Sequence, residues 1–200
     1  MQEERISRYL SRHAFRLKQL EAMWRDPLVQ LYNDPELPHP LIRQQSVFLA
    51  GPTSRRQILE YNWRSEAVAL LREAHFPGVI YVPEPRGEED EGDFTEKSYI
   101  DRWWSDRLLS ASHSVFWVPR QGVEMLGLNT NFEWGFMTAK FLFMQEQAES
   151  QELFVGWPDG AERMGLPNHY ISDIAKLRRF RTLSSLCYTI TSKSVLSEML

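Results

Sequence analysis

Polar and charged side chains that could do chemistry follow the apolar runs of this chain. Glu133 precedes Trp134 and Gly135 and lies beyond the apolar run 114–119, which ends in proline. Such a run predicts a buried strand, and residues 132–147 are typical of the helix that follows it. We therefore predict that Glu133 lies in the first turn of a helix. The simplest alternative is an acidic residue that only complements the helix dipole.

Two further apolar runs, 47–50 and 79–82, are also followed by polar groups. Glycine permits close backbone approach, and arginines at a helix N-terminus favour an anion such as phosphate. Ligands bind open α/β sheets at the carboxyl ends of the strands, so three polar strand ends favour a functional Glu133 over the dipole alternative. The candidate binding residues at the first two ends are Gly51, Pro52, Thr53, Arg55, Glu84 and Arg86.

Short apolar runs alternate with helical segments through most of the chain. The runs at 47–50, 79–82, 115–118 and 153–155 predict strands. This alternation predicts an α/β fold with helices on both faces of a mainly parallel sheet of four to five strands. A last helix is predicted over 171–186, with 187–191 as a fifth strand or an irregular tail.

The first 45 residues have a different pattern. Residues 6–24 predict an amphipathic helix, and a proline-rich connector follows at 33–40. We therefore place a boundary near Gln45, between an N-terminal helical extension (1–45) and a main domain (46–200).

Composition excludes several classes of protein. A net charge of -4 gives no general attraction to nucleic acid or anionic membrane. Cys187 is the only cysteine, which rules out an intrachain disulfide and is typical of a reducing compartment, so we read it as a core thiol. No apolar stretch approaches membrane-spanning length. We expect a cytoplasmic protein with no cofactor and no metal, and we interpret the acidic run 88–91 as a solvated loop.

Several segments, in this order, resemble the nucleoside 2-deoxyribosyltransferase-like family. The resemblance covers about residues 46 to 165 and ends with 155–160. The segments that carry it are Val47-Phe48-Leu49-Ala50-Gly51-Pro52, Trp63-Arg64, Tyr81-Val82-Pro83-Glu84, Val115-Phe116-Trp117-Val118-Pro119 and Asn131-Phe132-Glu133-Trp134-Gly135.

The resemblance implies a flavodoxin-like three-layer sandwich and cleavage of an N-glycosidic bond. Glu133 matches the family's nucleophile, which attacks the anomeric carbon of deoxyribose and forms a glycosyl-enzyme. A base or water then resolves that intermediate. The resemblance also implies a homo-oligomer, at least a dimer.

The expected second acid is where the chain departs from the family. Alignment puts Trp104 at that position, and Trp104 shares an apolar stripe with Leu108 and Ala111, which is typical of a core residue. Asp101 and Asp106 are the candidates that remain. Asp101 lies nearer the stripe, and Asp106 is nearer in the alignment.

Five other residues have two interpretations each. Asn131 either orients the sugar or Glu133, or caps the helix. Trp103 and Trp134 either stack on a base or pack in the core. His113 and His169 either act as acid or base near neutral pH or have structural roles, and we favour structural roles because neither has a convincing partner.

The preferred hypothesis is an enzyme that cleaves or exchanges the base of a 2'-deoxynucleoside or deoxynucleotide through Glu133. One alternative is a nucleotide-sensing module that keeps the pocket without turnover. The other is cleavage of the nicotinamide-ribose bond of NAD or of another nucleotide. In each case the partner is a small molecule rather than nucleic acid or membrane.

Overall fold

A six-stranded parallel sheet forms the centre of the protein. The computed structural model describes residues 14–15, 17–32, 34, 45–52, 62–84, 97–120, 127–144 and 151–198. The strands are β1 (Val29–Leu31), β2 (Ser46–Ala50), β3 (Val79–Val82), β4 (His113–Trp117), β5 (Glu152–Gly156) and β6 (Arg179–Phe180). Their order across the sheet is β1-β3-β2-β4-β5-β6, and every neighbouring pair is parallel.

Helices cover both faces of this sheet. They are α1 (residues 14–15 and 17–25), α2 (Trp63–Glu73), α3 (Lys97–Ser110), α4 (Leu128–Met144), α5 (Gly165–His169) and α6 (Leu183–Glu198). A single π-helical turn, Tyr170–Ile174, continues α5. None of the helices in the described ranges combines the length and the hydropathy needed to cross a membrane.

Alternate residues of each strand pack against different helices. In β2, Val47 and Leu49 join the core formed with α1, α2 and α6, whereas Phe48 and Ala50 join the core formed with α3 and α4. Successive strand residues point to opposite faces, so a sheet covered on both sides needs apolar residues at every position. This explains why β2 to β5 each contain a continuous apolar run in the sequence. The predicted α/β class with a mainly parallel sheet is confirmed.

The strand count and the C-terminal elements differ from prediction. The described sheet has six strands, so the predicted four to five is too low. The predicted helix 171–186 is wrong, because a π-helical turn, strand β6 and the start of α6 occupy this stretch. Residues 187–191 lie inside α6 and are neither strand nor irregular tail. Cys187 is a buried free thiol, as predicted, and burial raises its pKa to about 12.

The described part of the N-terminal extension belongs to the main core. Its predicted helix is present at 14–15 and 17–25, and Leu20 and Met23 are buried in the core with α2. Strand β1, which the sequence did not predict, follows and pairs with β3 in the register Val29↔Ile80. The boundary near Gln45 stays a prediction, and described residues on both sides of it share one core.

The order of the strands fixes where a ligand site is expected. The chain passes from β2 to β3 on one side of β2 and then crosses to β4 on its other side. Such a reversal opens a crevice between the carboxyl ends of the two central strands, here β2 and β4. The polar residues that follow β2, β3 and β4 therefore belong to the edge at which open α/β sheets bind ligands.

Glu152 lies in an ion-pair cluster at the amino end of β5, on the opposite edge. It is 2.5 Å from Lys193 Nζ and 3.4 Å from His113 Nδ1, and contact with His113 and then with Lys193 lowers its pKa to about 2. Because its pKa is lowered, ionised Glu152 stabilises the fold at pH values above 4.5, the ordinary pKa of the group. That contribution is lost as the pH falls towards 2.

We expect Glu152→Gln to lower the free energy of unfolding by about 1 kcal/mol at pH 7, because solvent screens this half-exposed pair. Urea titrations at pH 7 and at low pH measure the difference, which shrinks as the pH approaches 2. Lys193→Gln in the same background separates the lysine contribution. A difference that is constant with pH would contradict the ion-pair interpretation.

Candidate active site at the carboxyl edge of the sheet

Arg64 joins the carboxyl ends of β2 and β3. The residue is completely buried on the first turn of α2. Its Nε donates to Leu49 O at 2.9 Å, and its Nη2 donates to Gly51 O at 2.5 Å. Its Nη1 donates to Glu84 Oε1 at 2.6 Å, forming a buried ion pair. One guanidinium thus satisfies the last carbonyls of β2 and the carboxylate that follows β3.

Asn62 completes this arrangement at the start of α2. Its side-chain oxygen accepts hydrogen bonds from the backbone N–H groups of Arg64 and Ser65, which caps the helix. Its Nδ2 donates to Glu84 Oε2 at 2.6 Å. Both carboxylate oxygens of Glu84 therefore already accept hydrogen bonds. Glu84 anchors the site, and the predicted binding of substrate by this residue stays a prediction.

Removing the charge of Glu84 leaves the Arg64 guanidinium buried without its counterion. We expect Glu84→Gln to lower the free energy of unfolding by about 3 kcal/mol, the usual range for breaking one side of a buried pair. Urea denaturation measures this loss. The matched control is Glu21→Gln, which breaks an exposed pair with Arg25 at 3.4 Å and should change stability by less than about 1 kcal/mol. Equal losses in the two variants would contradict the anchoring role.

Gly51 and Pro52 lie where β2 approaches β4. The φ angle of Gly51 is +154°, and a Cβ there would collide with the carbonyl oxygen of Trp117 and lie 2.7 Å from the Trp63 ring. Only glycine permits this approach. Pro52 O accepts a hydrogen bond from Trp63 Nε1 at 3.0 Å. Both predicted binding residues thus lie in the crevice, where their backbones hold the strand ends together.

Glu133 is a half-buried carboxylate on α4. The sequence predicted Glu133 in the first turn of its helix. The helix begins at Leu128, so Glu133 lies in the second turn instead. The helix dipole acts within the first turn, so the dipole alternative loses its basis. Oxygen Oε2 is buried and has no hydrogen-bond partner among the described residues. Burial raises the pKa of Glu133 to about 7, against the opposing charge of Arg64.

The electrostatics of Glu133 and Glu84 differ because Arg64 forms an ion pair with Glu84 but not with Glu133. Glu84 contacts the guanidinium directly, at 2.6 Å, whereas Glu133 feels its charge without a hydrogen bond to it. Glu133 therefore carries a poorly solvated oxygen that can accept a proton or attack an electrophilic centre near neutral pH. Keeping an ionised carboxylate in these surroundings costs folding free energy, and perturbed carboxylates of this kind are candidates for a chemical role.

This cost predicts that Glu133→Gln stabilises the protein above neutral pH. The ionised form is penalised in the fold, so Glu133 carries no penalty below pH 4.5, and its penalty grows as the pH rises towards 7. We expect the variant to gain about 2–3 kcal/mol over wild type at pH 8 and almost nothing at pH 4. Denaturant titrations at both pH values measure this, with exposed Glu73→Gln as the control. No gain at pH 8 would contradict the buried-charge interpretation.

The other predicted catalytic acids lie on α3. Asp106 is exposed, as expected of a solvated charge. Asp101 lies within α3, and its side chain is outside the described part of the structure. Trp104, at the position where the family carries an acid, is half-buried and packs against the core with α4. The predicted binding residues Thr53, Arg55 and Arg86, and the acidic run 88–91, fall outside the described residues.

The predicted aromatic residues are core components. Trp103 is 5% exposed and packs against Phe48 and Tyr81 at ring distances of 6.5 and 6.4 Å. Trp134 is also 5% exposed and stacks on Phe116 with an interplanar angle of 16°. The packing alternative is thus shown for both indoles, and stacking on a base stays a prediction.

The structure excludes one of the two interpretations of Asn131, that of a helix cap. It lies inside α4, where its N–H donates to Gly127 O at 3.0 Å. Its side-chain oxygen accepts a hydrogen bond from Arg120 Nη2 at 2.5 Å. Asn131 also lines a cavity of about 520 Å³ between α4 and the α5 region. Glu133 does not line that cavity.

Sequence reasoning missed two arginines, each with a detectable signal. Arg64 stands in the Trp63-Arg64 segment of the family resemblance, but no role was assigned to it. Arg120 follows Pro119 directly, so it extends the polar strand ends to β4. Applying the strand-end rule to β4 itself would have identified Arg120.

Comparisons with known proteins leave the family open. No family model matches the chain, and no curated protein matches it either.

Proposed function

We propose that the protein cleaves or exchanges the N-glycosidic bond of a 2'-deoxynucleoside or deoxynucleotide, with Glu133 as the nucleophile. The observation that carries the proposal is the half-buried Glu133 carboxylate, which has a pKa of about 7 and one oxygen that no described residue contacts by a hydrogen bond. Its helix follows β4, one of the two strands that flank the crevice. Perturbed carboxylates at such a position are candidates for acid, base or nucleophilic work.

The strand order supports the proposed family resemblance. Without β1, the order β3-β2-β4-β5-β6 corresponds to the 2-1-3-4-5 order of flavodoxin-like sheets. We include this fold assignment in the proposal, with β1 as an added edge strand. The likeness of fold alone does not specify an activity, so the functional argument rests on Glu133 and its surroundings.

The proposed reaction has two displacements at one carbon. In the first, a Glu133 oxygen forms a bond to the anomeric carbon as the bond from that carbon to the base nitrogen breaks, and the base leaves with the electron pair. In the second, water or another base attacks the same carbon, the Glu133 carboxylate leaves, and the attacking group gives its proton back to the side chain that protonated the first base. Two inversions retain the configuration of the sugar.

The departing base also requires a proton. Asp101 stays our candidate acid, together with Asp106, although the exposure of Asp106 suits a reacting group less well. Because Trp104 occupies the position of the family's second acid, a nucleotide-sensing module that binds without turnover is the second candidate function. Turnover measurements discriminate between the two functions.

The test is Glu133-dependent release of a free base. Chromatography after incubation with each of the four deoxynucleosides and their 5'-monophosphates should detect the base, and adding a second free base should reveal exchange. We expect Glu133→Gln to lower the rate by roughly 10³-fold or more, because the nucleophile is lost. Exposed Glu73→Gln is the matched control and should retain the wild-type rate.

The pH profile checks the assignment independently. The nucleophile must be ionised, so the rate should rise with pH through a limb near 7 and be lost below it. Base release that persists in Glu133→Gln would contradict the proposed role. Binding of deoxynucleotides without any turnover would favour the sensing module, and release of nicotinamide from NAD would favour the remaining alternative.

A further inference from the structure

The cavity beside α4 lies on a different face of this helix from Glu133. Asn131, Gly135, Thr138 and Leu142 line it, and this spacing of four, three and four residues defines one helical stripe. Glu133 is two positions from Asn131 and therefore about 200° around the helix. A ligand in the cavity would contact a surface separate from the proposed nucleophile.

Arg120 brings a buried positive charge to this cavity. The residue is 5% exposed, and its Nη2 donates to the neutral amide oxygen of Asn131. Its Nε is buried and has no hydrogen-bond partner within the described part of the chain. Among the described residues, Arg120 forms no ion pair and no carboxylate lines the cavity. A buried guanidinium without a counterion is costly, and an anion in the cavity would remove that cost.

Arg163 adds a second cation to the same wall. It also lines the cavity, and its backbone adopts the left-handed conformation, with φ of +55°. Burial, and then the positive charge of Arg163, lower the pKa of Arg120. Two arginines that line one cavity suit an oxyanion, which can accept hydrogen bonds from both.

Apart from Thr138, the side chains that form the rest of the described cavity wall are mainly apolar. Its described walls include Leu142, Pro167, Ile171 and Ile174, and a volume of about 520 Å³ is in the range that holds small organic molecules. The indole of Trp134 and the phenol ring of Tyr170 add aromatic surface to the cavity. An inorganic anion would leave most of this surface uncovered, whereas an apolar body carrying an oxyanion would cover it.

We propose that this cavity is a second ligand site, which binds a small organic anion with its carboxylate or phosphate on Arg120 and Arg163 and its apolar body against α4 and the α5 region. This site does not depend on the chemistry of Glu133. Carboxylates and phosphate esters share the oxyanion that the arginines recognise, and matched probes separate the two sources.

Isothermal titration calorimetry with four probes tests the proposal. The probes are 2-naphthoate with its neutral analogue 2-naphthamide, and 1-naphthyl phosphate with its neutral analogue 1-naphthol. We expect at least one anion to bind with a Kd below about 1 mM and at least about tenfold more tightly than its neutral analogue. The tighter anion identifies the headgroup. Failure of both anions to bind, or equal binding of anion and neutral analogue, would overturn the proposal.

Variants then locate the site. Arg120→Gln should weaken anion binding at least about tenfold, whereas Arg102→Gln, which changes an exposed arginine on α3, should leave it unchanged. Gly135→Leu is a second variant that should not disturb folding, because a Cβ at this position meets no atom within 4 Å. Leucine is also a better helix former than glycine, and its side chain would fill the cavity.

We expect Gly135→Leu to fold at least as well as wild type, measured by thermal unfolding, and to lose the calorimetric signal. Glu133→Gln should bind the anion normally, so failure of the proposed enzymatic function and failure of this site give different results. Normal anion binding in both Arg120→Gln and Gly135→Leu would place the probe elsewhere and overturn the proposal.

Discussion

The buried ion pair between Arg64 and Glu84 is the constraint on which the carboxyl edge of the sheet depends. Parallel strands end with carbonyl groups that no further strand residue satisfies, and burial makes unsatisfied carbonyls costly. The Arg64 guanidinium satisfies Leu49 and Gly51 and is neutralised by Glu84, which Asn62 holds from its other oxygen. This arrangement joins β2, β3 and α2 into one rigid unit.

That same arrangement explains the unusual state of Glu133. Because Arg64 is committed to the strand ends and to Glu84, its charge reaches Glu133 only at a distance and does not overcome the burial of that carboxylate. The result is one stable carboxylate and one destabilised carboxylate around a single cation. Across α4, the opposite imbalance occurs, since Arg120 is buried with a neutral partner and a second arginine nearby. Each of these two faces of the helix thus has a charge that the described residues compensate incompletely and that a ligand could satisfy.

Much of the fold could be predicted because strands covered on both faces must be apolar throughout. This constraint allows β2 to β5 to be predicted from their apolar runs. Strand β1 has three residues and β6 only two, too few to form a recognisable apolar run. The start of α4 was misplaced because Asn131 is typical of a cap, although here it lies inside the helix. The sequence identified Glu133 but not Arg64 or Arg120, since the role of a buried arginine depends on carbonyls and cavities that only the folded chain brings together.

The central claim is that Glu133 becomes covalently attached to the sugar during turnover. The most direct measurement is mass spectrometry of peptides from a reaction with a deoxynucleoside, quenched in acid within the first turnover. The account predicts a mass increase of one deoxyribosyl group on the peptide that contains Glu133, absent in Glu133→Gln and removed when the enzyme is left to complete the reaction. Base release with no deoxyribosyl group on that peptide, or with the group on another residue, would contradict it.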